Sequence, residues 1–255
     1  MLSVRASRDP LDDVSATTGT HGPWQQRVEE FVLSQIAEPS ARVLEVGCGD
    51  GDLARALHRA GHIVTAIDPQ APPGHLFQPL KLEEFSDTGP FDSVVSSLAL
   101  HHIADLKGAV DRIAGLLVRE GALILVEFAW DRLDDRTARW AMDHLGGDLL
   151  SETPSWLQRL LQEWRGQAVG LTNASIEPCC ARWSDAEGLH SSPKMLAELR
   201  HRFEERVLEW TPYLYPELPD CGEDEEYAAI RARVINAIGF RYVGTPRTQT
   251  RLREP

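Results

Sequence analysis

The sequence predicts an α/β fold: a three-layer, doubly wound, mostly parallel seven-stranded sheet with helices on both faces, plus a helical cap or insertion. Three observations predict it. Runs suited to strands alternate with stretches of helical periodicity through the first half of the chain. The strand runs are apolar throughout rather than at alternate residues, which implies helices covering both faces. The first strand ends in glycines placed directly before a helix, at the strand end where open parallel sheets bind ligands.

The elements follow in order. Residues 23–36 carry Trp24, Val28, Phe31, Val32 and Ile36 at helical spacing behind Pro23. Pro39 and Ser40 break the chain, and residues 42–46 read as a short buried strand. Leu53, Ala56, Leu57 and Ala60 space a helix that Gly61 stops. Residues 62–67 (HIVTAI) form a second strand ending at Asp68-Pro69, and a short third falls near 76–80. Residues 91–98 (FDSVVSSL) are the fourth strand. The helix 105–118 turns Leu106, Ala109, Val110, Ile113, Leu116 and Leu117 inward. A turn at Arg119-Glu120-Gly121 leads into 122–128 (ALILVEF), the most strand-like run of the sequence.

From about 130 to 199 the pattern is helical and rich in tryptophan: Trp130, Trp140, Trp156, Trp164 and Trp183. A late strand at 203–215, a helix at 223–237 and a last strand at 240–244 complete the expected sheet. The predicted organisation is a polar, disordered leader at 1–21, a nucleoside-binding core at 22–130, a helical insertion at 131–200, and closing strands and helix at 201–255.

Composition bounds the function. The 255 residues include 42% hydrophobic and 25% charged, ordinary for a globular chain with a core. With 26 basic against 39 acidic side chains the formal charge is −13, which opposes binding to nucleic acid or an anionic membrane surface. Arg241 to Arg253 could make a local basic patch, but reads better as a solvated tail. No apolar run approaches the roughly 18 residues that span a bilayer, and no signal-peptide layout opens the chain. Cytoplasm is the expected compartment, and monomer or homodimer the expected state. Cys48, Cys179, Cys180 and Cys221 form no C-x-x-C pair, so neither a disulfide framework nor a metal site is indicated.

The chemistry starts at Val43-Leu44-Glu45-Val46-Gly47-Cys48-Gly49-Asp50-Gly51, a strand running into a G-x-G-x-G loop. Side chains at the glycines would keep a ligand off the backbone, and the helix beyond presents free N–H groups. Nicotinamide folds favour G-x-G-x-x-G with a diphosphate at that helix end. Here Asp52 follows Gly51, and Glu45, Asp50 and Asp52 would repel a diphosphate while tolerating a sulfonium with an ammonium group. Asp68, 21 residues after Gly47, stands where a carboxylate accepts both ribose hydroxyls; alone it could equally be a turn residue before Pro69.

With these motifs, residues 42–128 resemble a class I S-adenosylmethionine-dependent methyltransferase domain of the small-molecule type, whose fourth-strand motif reads like FDSVVSSLALHHI. The resemblance implies S-adenosylmethionine as cofactor and S-adenosylhomocysteine as product. It implies that Glu45, Gly47, Cys48, Gly49 and Gly51 contact the methionine part, that Asp68 and Pro69 meet the ribose, and that Ser97 and Leu98 line the sulfonium site. Leu82 and Glu83 fall at the adenine. One departure is Lys81, at or near the place where the family commonly has an acidic residue for the adenine amino group.

Transfer to an oxygen or nitrogen that sheds a proton needs a base. His101 and His102, just past the fourth strand, and Glu127, ending the fifth, are the candidates. Either histidine could instead be a packed helix-start residue, and Glu127 could shape the pocket or pair with Arg132. Trp24, His102, Trp130, Trp183 and Tyr213 are the candidate acceptor contacts, with Trp210, Tyr215 and His190 behind them; large aromatics in a cap also commonly form its own core. The tetrapeptide N-P-P-Y of amino methyltransferases acting on nucleic acid or protein is absent, and Ser97-Leu98-Ala99-Leu100 stands there, which points to a small-molecule acceptor. Other readings stay open: a cofactor-binding protein without methyl transfer, an enzyme using the same cofactor for cyclisation, and a nicotinamide enzyme.

Overall fold

The computed structural model of the chain describes residues 22–87, 89–146, 153–167 and 175–247. The predicted leader at 1–21 and the part of the basic stretch beyond 247 lie outside them, whereas Arg241, expected in a solvated tail, lies in the last strand over the Phe31 ring. Seven strands form one sheet in the order β3-β2-β1-β4-β5-β7-β6. They are β1 (Arg42–Val46), β2 (Ile63–Ile67), β3 (Phe77–Gln78), β4 (Phe91–Ser97), β5 (Leu117–Phe128), β6 (Phe203–Thr211) and β7 (Gly239–Pro246). The first five run parallel, whereas β7 lies antiparallel between β5 and β6. Strand order reverses between the neighbours β1 and β4, and the ligand crevice of such a sheet lies beyond their carboxyl ends.

The helices divide by face. On one side α1 (Pro23–Gln35) and α2 (Asp52–Arg59) cover the sheet with Val28, Phe31, Val32, Leu53, Ala54 and Leu57. On the other lies α3 (Leu106–Leu116), whose start is fixed by Asp105 accepting the Gly108 N–H at 2.9 Å. It buries Leu106, Ala109, Val110, Ile113 and Leu116 as the periodicity predicts, the larger ones contributing roughly 1.5–3 kcal/mol each. Beside it, α7 (Ser192–Arg202) adds Met195, Leu196 and Leu199 to the same core. Beyond the carboxyl ends of β4 and β5, α4 (Asp135–His144), α5 (Trp156–Gln167) and α6 (Glu177–Glu187) form a third core with residues 213–221. The last helix, α8 (Glu223–Arg231), precedes β7.

Several boundaries differ from the sequence reading: the helix predicted over 105–118 ends at Leu116, and Leu117, expected on its inner face, opens β5. The turn at 119–121 is absorbed into β5: the register with β4 jumps from Phe91↔Leu117 to Ser93↔Ala122, so extra residues bulge inside one continuous strand. The strand predicted to 215 stops at Thr211, because Pro212 has no N–H to give a ladder. The helix predicted to 237 ends at Arg231, and Arg233 takes a left-handed φ of 59°.

Candidate active site

The loop after β1 has its shape because two of its glycines cannot be anything else. Gly47 has φ 77°, and a β-carbon there would collide with the Ala99 side chain just past β4. Gly51, at φ 83°, would drive a β-carbon into the Phe77 ring on β3. The loop is pinned from β2: Gly47 and Cys48 N–H groups donate to Ile67 O at 2.8 and 3.2 Å, and Gly49 N–H donates to Asp68 Oδ2 at 3.2 Å. Glycine loop, β4 exit and acidic end of β2 thus meet at the point where strand order reverses.

The predicted cofactor residues occupy distinct settings. Glu45 is buried with Oε2 unpartnered, and desolvation, reinforced by Asp68, raises its pKa well above the ordinary carboxylate range. Asp68 is half-buried and accepts from Gly49 and Gln70 (2.7 Å), so two of its four lone-pair positions stay open. Pro69 beside it is exposed, and the Cys48 side chain packs into the core under the loop. Leu82 points into the core and Glu83 into solvent, on a short helical turn begun by Lys81, whose N–H donates to Glu84 at 3.0 Å. Ser97 is half-buried, and Leu98 holds φ 54°, a strained value for a branched side chain at the mouth of β4.

Past that strained residue sits a buried pair. His101 Nδ1 lies 2.6 Å from Glu127 Oε2, with His101 4% and Glu127 0% exposed. Glu127 also accepts the N–H groups of Leu100 (2.7 Å) and Phe128 (3.2 Å). A carboxylate surrounded by donors acts as an acceptor, so the shared proton belongs on His101 Nδ1 and the tautomer leaves Nε2 as the basic nitrogen. Glu127 does not pair with Arg132, which donates to Ala237 O at 2.8 Å and stacks over the Trp210 ring. The exposed His102 ring lies 4.2 Å from that of His101. Desolvation and then His101 lower its pKa, and the Glu127 charge opposes the drop.

One aromatic ring, Phe128, meets the pair and joins it to a cluster of others. Phe128 stacks on Tyr213 at 4.5 Å and meets His101, Trp156 and Trp183 edge-on, while Trp156 stacks on Trp183 at 5.5 Å. Trp156 is buried with its indole N–H unpartnered. Trp183 and Tyr213, two of the expected acceptor contacts, thus lie against Phe128, the ring that meets His101. Trp24 packs where two of the cores meet, lining a small crevice with Arg27, Tyr215 and Arg241, and Trp130 donates to His190 O at 3.1 Å. Trp210 sits against the α3-side core, away from these rings. His190 is tied to Ile103 O at 2.8 Å, and its backbone N–H to His101 O at 2.9 Å, so it braces the pair.

Three contributors were not singled out from sequence. Phe128 closes the most strand-like run, so its position was the signal available. Trp156 was counted only among the cap tryptophans. Glu226 gave no local signal: it is buried on α8 and accepts the backbone N–H groups of Tyr213, Leu214 and Tyr215 at 2.8–3.1 Å, holding the segment that carries Tyr213.

Comparison with known proteins bears on this geometry. Residues 20–176 match the family model described as a methyltransferase domain. The chain belongs to that family. A relative named an uncharacterized methyltransferase, from Mycobacterium bovis, is 35% identical over 133 residues, covering 46% of this chain and 66% of the relative. A malonyl-[acyl-carrier protein] O-methyltransferase of Magnetococcus marinus is 34% identical over 135 residues, covering 44% of this chain and 48% of that protein. The chain therefore spans between about half and two thirds of these relatives. Among solved structures, an S-adenosylmethionine dependent methyltransferase from Mesorhizobium loti aligns with TM-score 0.53 at 16% identity, covering 90% of this chain and all of that one. A 1,6-didemethyltoxoflavin-N1-methyltransferase from Burkholderia thailandensis aligns with TM-score 0.50 at 16% identity over 88% of this chain and 78% of its own. These share the fold, the Rossmann-like sheet of class I methyltransferases.

The expected cofactor, S-adenosylmethionine, agrees with that membership, and the residues fit it. The glycine loop leaves its backbone uncovered at Gly49, where a β-carbon would meet nothing within 4 Å. Glu45 offers an unpartnered buried oxygen and Asp68 two open acceptor positions. Among the described residues no helix is long and apolar enough to cross a membrane.

Proposed function

We propose that this methyltransferase moves the methyl group of S-adenosylmethionine to an oxygen or nitrogen of a small, flat or apolar acceptor, with His101 as the base. The observation that carries this reading is the buried His101–Glu127 pair, placed two residues beyond the Ala99 contact with Gly47 and joined through Phe128 to Trp156, Trp183 and Tyr213. Two relatives named as O-methyltransferases, from Magnetococcus marinus and Xanthomonas campestris, favour oxygen. The net charge of −13 opposes a nucleic-acid acceptor.

When bound, S-adenosylmethionine supplies an activated methyl group on a good leaving group. Glu45 and the 47–51 loop would hold its methionine part, Asp68 its ribose, Ser97 and Leu98 the neighbourhood of the sulfur. Leu82 and Glu83 would serve the adenine through their backbone, since one side chain is in the core and the other in solvent. The protein's main contribution is alignment of acceptor atom, carbon and sulfur, worth up to about 7–11 kcal/mol in the most favourable intramolecular cases. As the acceptor attacks, its proton passes to His101 Nε2. Glu127 keeps Nδ1–H in place and stabilises the imidazolium, so it is a positioning residue rather than a second base. His102, Trp24 and Trp130 stand at the margin of this site, while Trp183 and Tyr213 form its wall.

The test is transfer of radiolabelled methyl groups to a panel of phenols, carboxylic acids and amines, with calorimetry against S-adenosylmethionine and NAD in parallel. Labelled product with wild type and its loss in His101→Ala support the reading. Tight NAD binding, or donor binding with no acceptor labelled across the panel, goes against it.

A further inference from the structure

Away from the strand ends, one group meets two from a distant segment where α4 ends and α8 begins. His144 lies in the last turn of α4, Cys221 just before α8, and Glu225 in the first turn of α8. One ligand atom from each, all lying within 4.8 Å of one another, could meet at a single point. Cys221 is buried, His144 half-buried and Glu225 exposed, so the cluster opens to water on one side.

Hydrogen-bond inventory makes the arrangement incomplete as it stands. His144 Nδ1 is 2.8 Å from Trp140 O, a carbonyl that can only accept, so Nδ1 carries a proton. In the neutral ring Nε2 then presents a lone pair, yet it faces Glu225 Oε1 at 3.2 Å. Two acceptors confront each other, and a positive centre is needed between them: a second proton on the ring, or a cation. The 3.2 Å separation fits the ion pair of a protonated ring, and it fits a cation as well, because bonds of about 2.0–2.1 Å to a tetrahedral ion set its N and O ligands about 3.3 Å apart. The carbonyl behind Nδ1 is the outer partner that fixes a metal-bound imidazole. A sulfur–imidazole–carboxylate set selects zinc over the harder magnesium or calcium.

We propose that His144, Cys221 and Glu225 bind a zinc ion, with water as fourth ligand. Its role is to staple α4 to α8. Glu226, the next residue along α8, holds the 213–215 backbone, so the ion steadies the segment bearing Tyr213 from outside the transfer site. The Cys221 thiol, which contacts Gly222 O at 3.6 Å, loses its proton to solvent as the metal–sulfur bond forms.

The test uses the full chain stripped with a chelator, then titrated with zinc by calorimetry and with cobalt(II) by absorption. The expected result is one-to-one binding with a thiolate-to-cobalt charge-transfer band, and a melting temperature that rises with zinc. Cys221→Ser should abolish the band, while His144→Ala and Glu225→Gln each remove a direct ligand and weaken binding by more than the roughly ten- to hundredfold that loss of an outer partner costs; Cys180→Ser should leave it intact. These two milder variants keep the test decisive where Cys221→Ser fails to fold. Wild-type chain without the band, or a band that follows Cys180 instead, overturns the proposal. So does nitrogen-15 NMR showing His144 doubly protonated at neutral pH and unmoved by zinc.

Discussion

The two halves of the candidate site are built by different rules. On the donor side every group stands at or just past a strand end: Glu45 and the glycines after β1, Asp68 after β2, Ser97 and Leu98 after β4. Chain-local sequence sets each position, and the sheet brings them together. On the acceptor side the wall is Phe128 from β5, Trp156 from α5, Trp183 from α6 and Tyr213 after β6, held by Glu226 from α8. No stretch of sequence contains two of these. The donor side depends on backbone conformation, the acceptor side on packing between distant segments. The His101–Glu127 pair joins β4 to β5 on the seam between them.

Breaking the seam should have the largest effect. His101→Ala is expected to lower kcat about 10²–10⁴-fold, the usual worth of a positioned base, with donor affinity changed less than twofold. Glu127→Gln should lose most of that activity, because the amide disturbs the orientation and tautomer set at Nδ1 rather than removing the base. Single-turnover rates and donor calorimetry check both. Unchanged turnover in His101→Ala removes the histidine from the chemistry and leaves alignment alone to carry the reaction.

Next in size is a single methyl on the donor side. Gly47→Ala adds a β-carbon that collides with Ala99 at a positive φ. Conformational strain of roughly 1–2 kcal/mol and overpacking of roughly 1–3 kcal/mol should lower stability and weaken donor binding steeply. Gly49→Ala, with open space around it, should cost about the conformational strain alone. Thermal unfolding and donor titration of the pair separate crowding from conformation; equal effects would mean that the Ala99 contact does not shape the loop.

How much was legible in the sequence follows the same division. The sheet, the glycine loop and Asp68 could be read because periodicity and turn chemistry are local signals. The α3 face was read residue by residue as far as Leu116, whereas Leu117 belongs to β5. Glu127 could be placed at a strand end, but its partner could not: Arg132 was as near in sequence as His101 is in space. Glu226 and Trp156 gave no signal, since a carboxylate that caps a loop and an indole that joins a wall are defined only by segments folding back on them. The same holds for Cys221 and Glu225, near neighbours in sequence that are unremarkable by spacing until His144 arrives beside them.

Glu226→Gln probes the acceptor side alone. The amide keeps one acceptor oxygen but turns an NH₂ toward the backbone N–H groups of residues 213–215, so part of the buried set is left unsatisfied, at about 1–3 kcal/mol. The expected outcome is a raised KM for the acceptor with donor affinity intact. Loss of donor binding to the same extent would show that the two halves are one cooperative unit.

The smallest effect belongs to His102, and its sign can be worked out. Desolvation and the neighbouring His101 lower its pKa to about 4 in the folded chain, against an ordinary value near 6.5 when unfolded. The unfolded chain therefore takes up the proton first as pH falls. The stability tied to the neutral ring is fully present above about 6.5 and is lost progressively down to about 4. Because the residue is exposed on its outer side, solvent screening keeps the loss under about 1 kcal/mol, or roughly 2–4 °C in melting temperature for a chain of this size. His102→Gln should flatten the melting temperature between pH 6.5 and 4 by that amount and leave the neutral-pH value unchanged. A wild-type profile that stays parallel to the variant's across this range would place the ring in free solvent, outside the crowded seam where donor and acceptor sides meet.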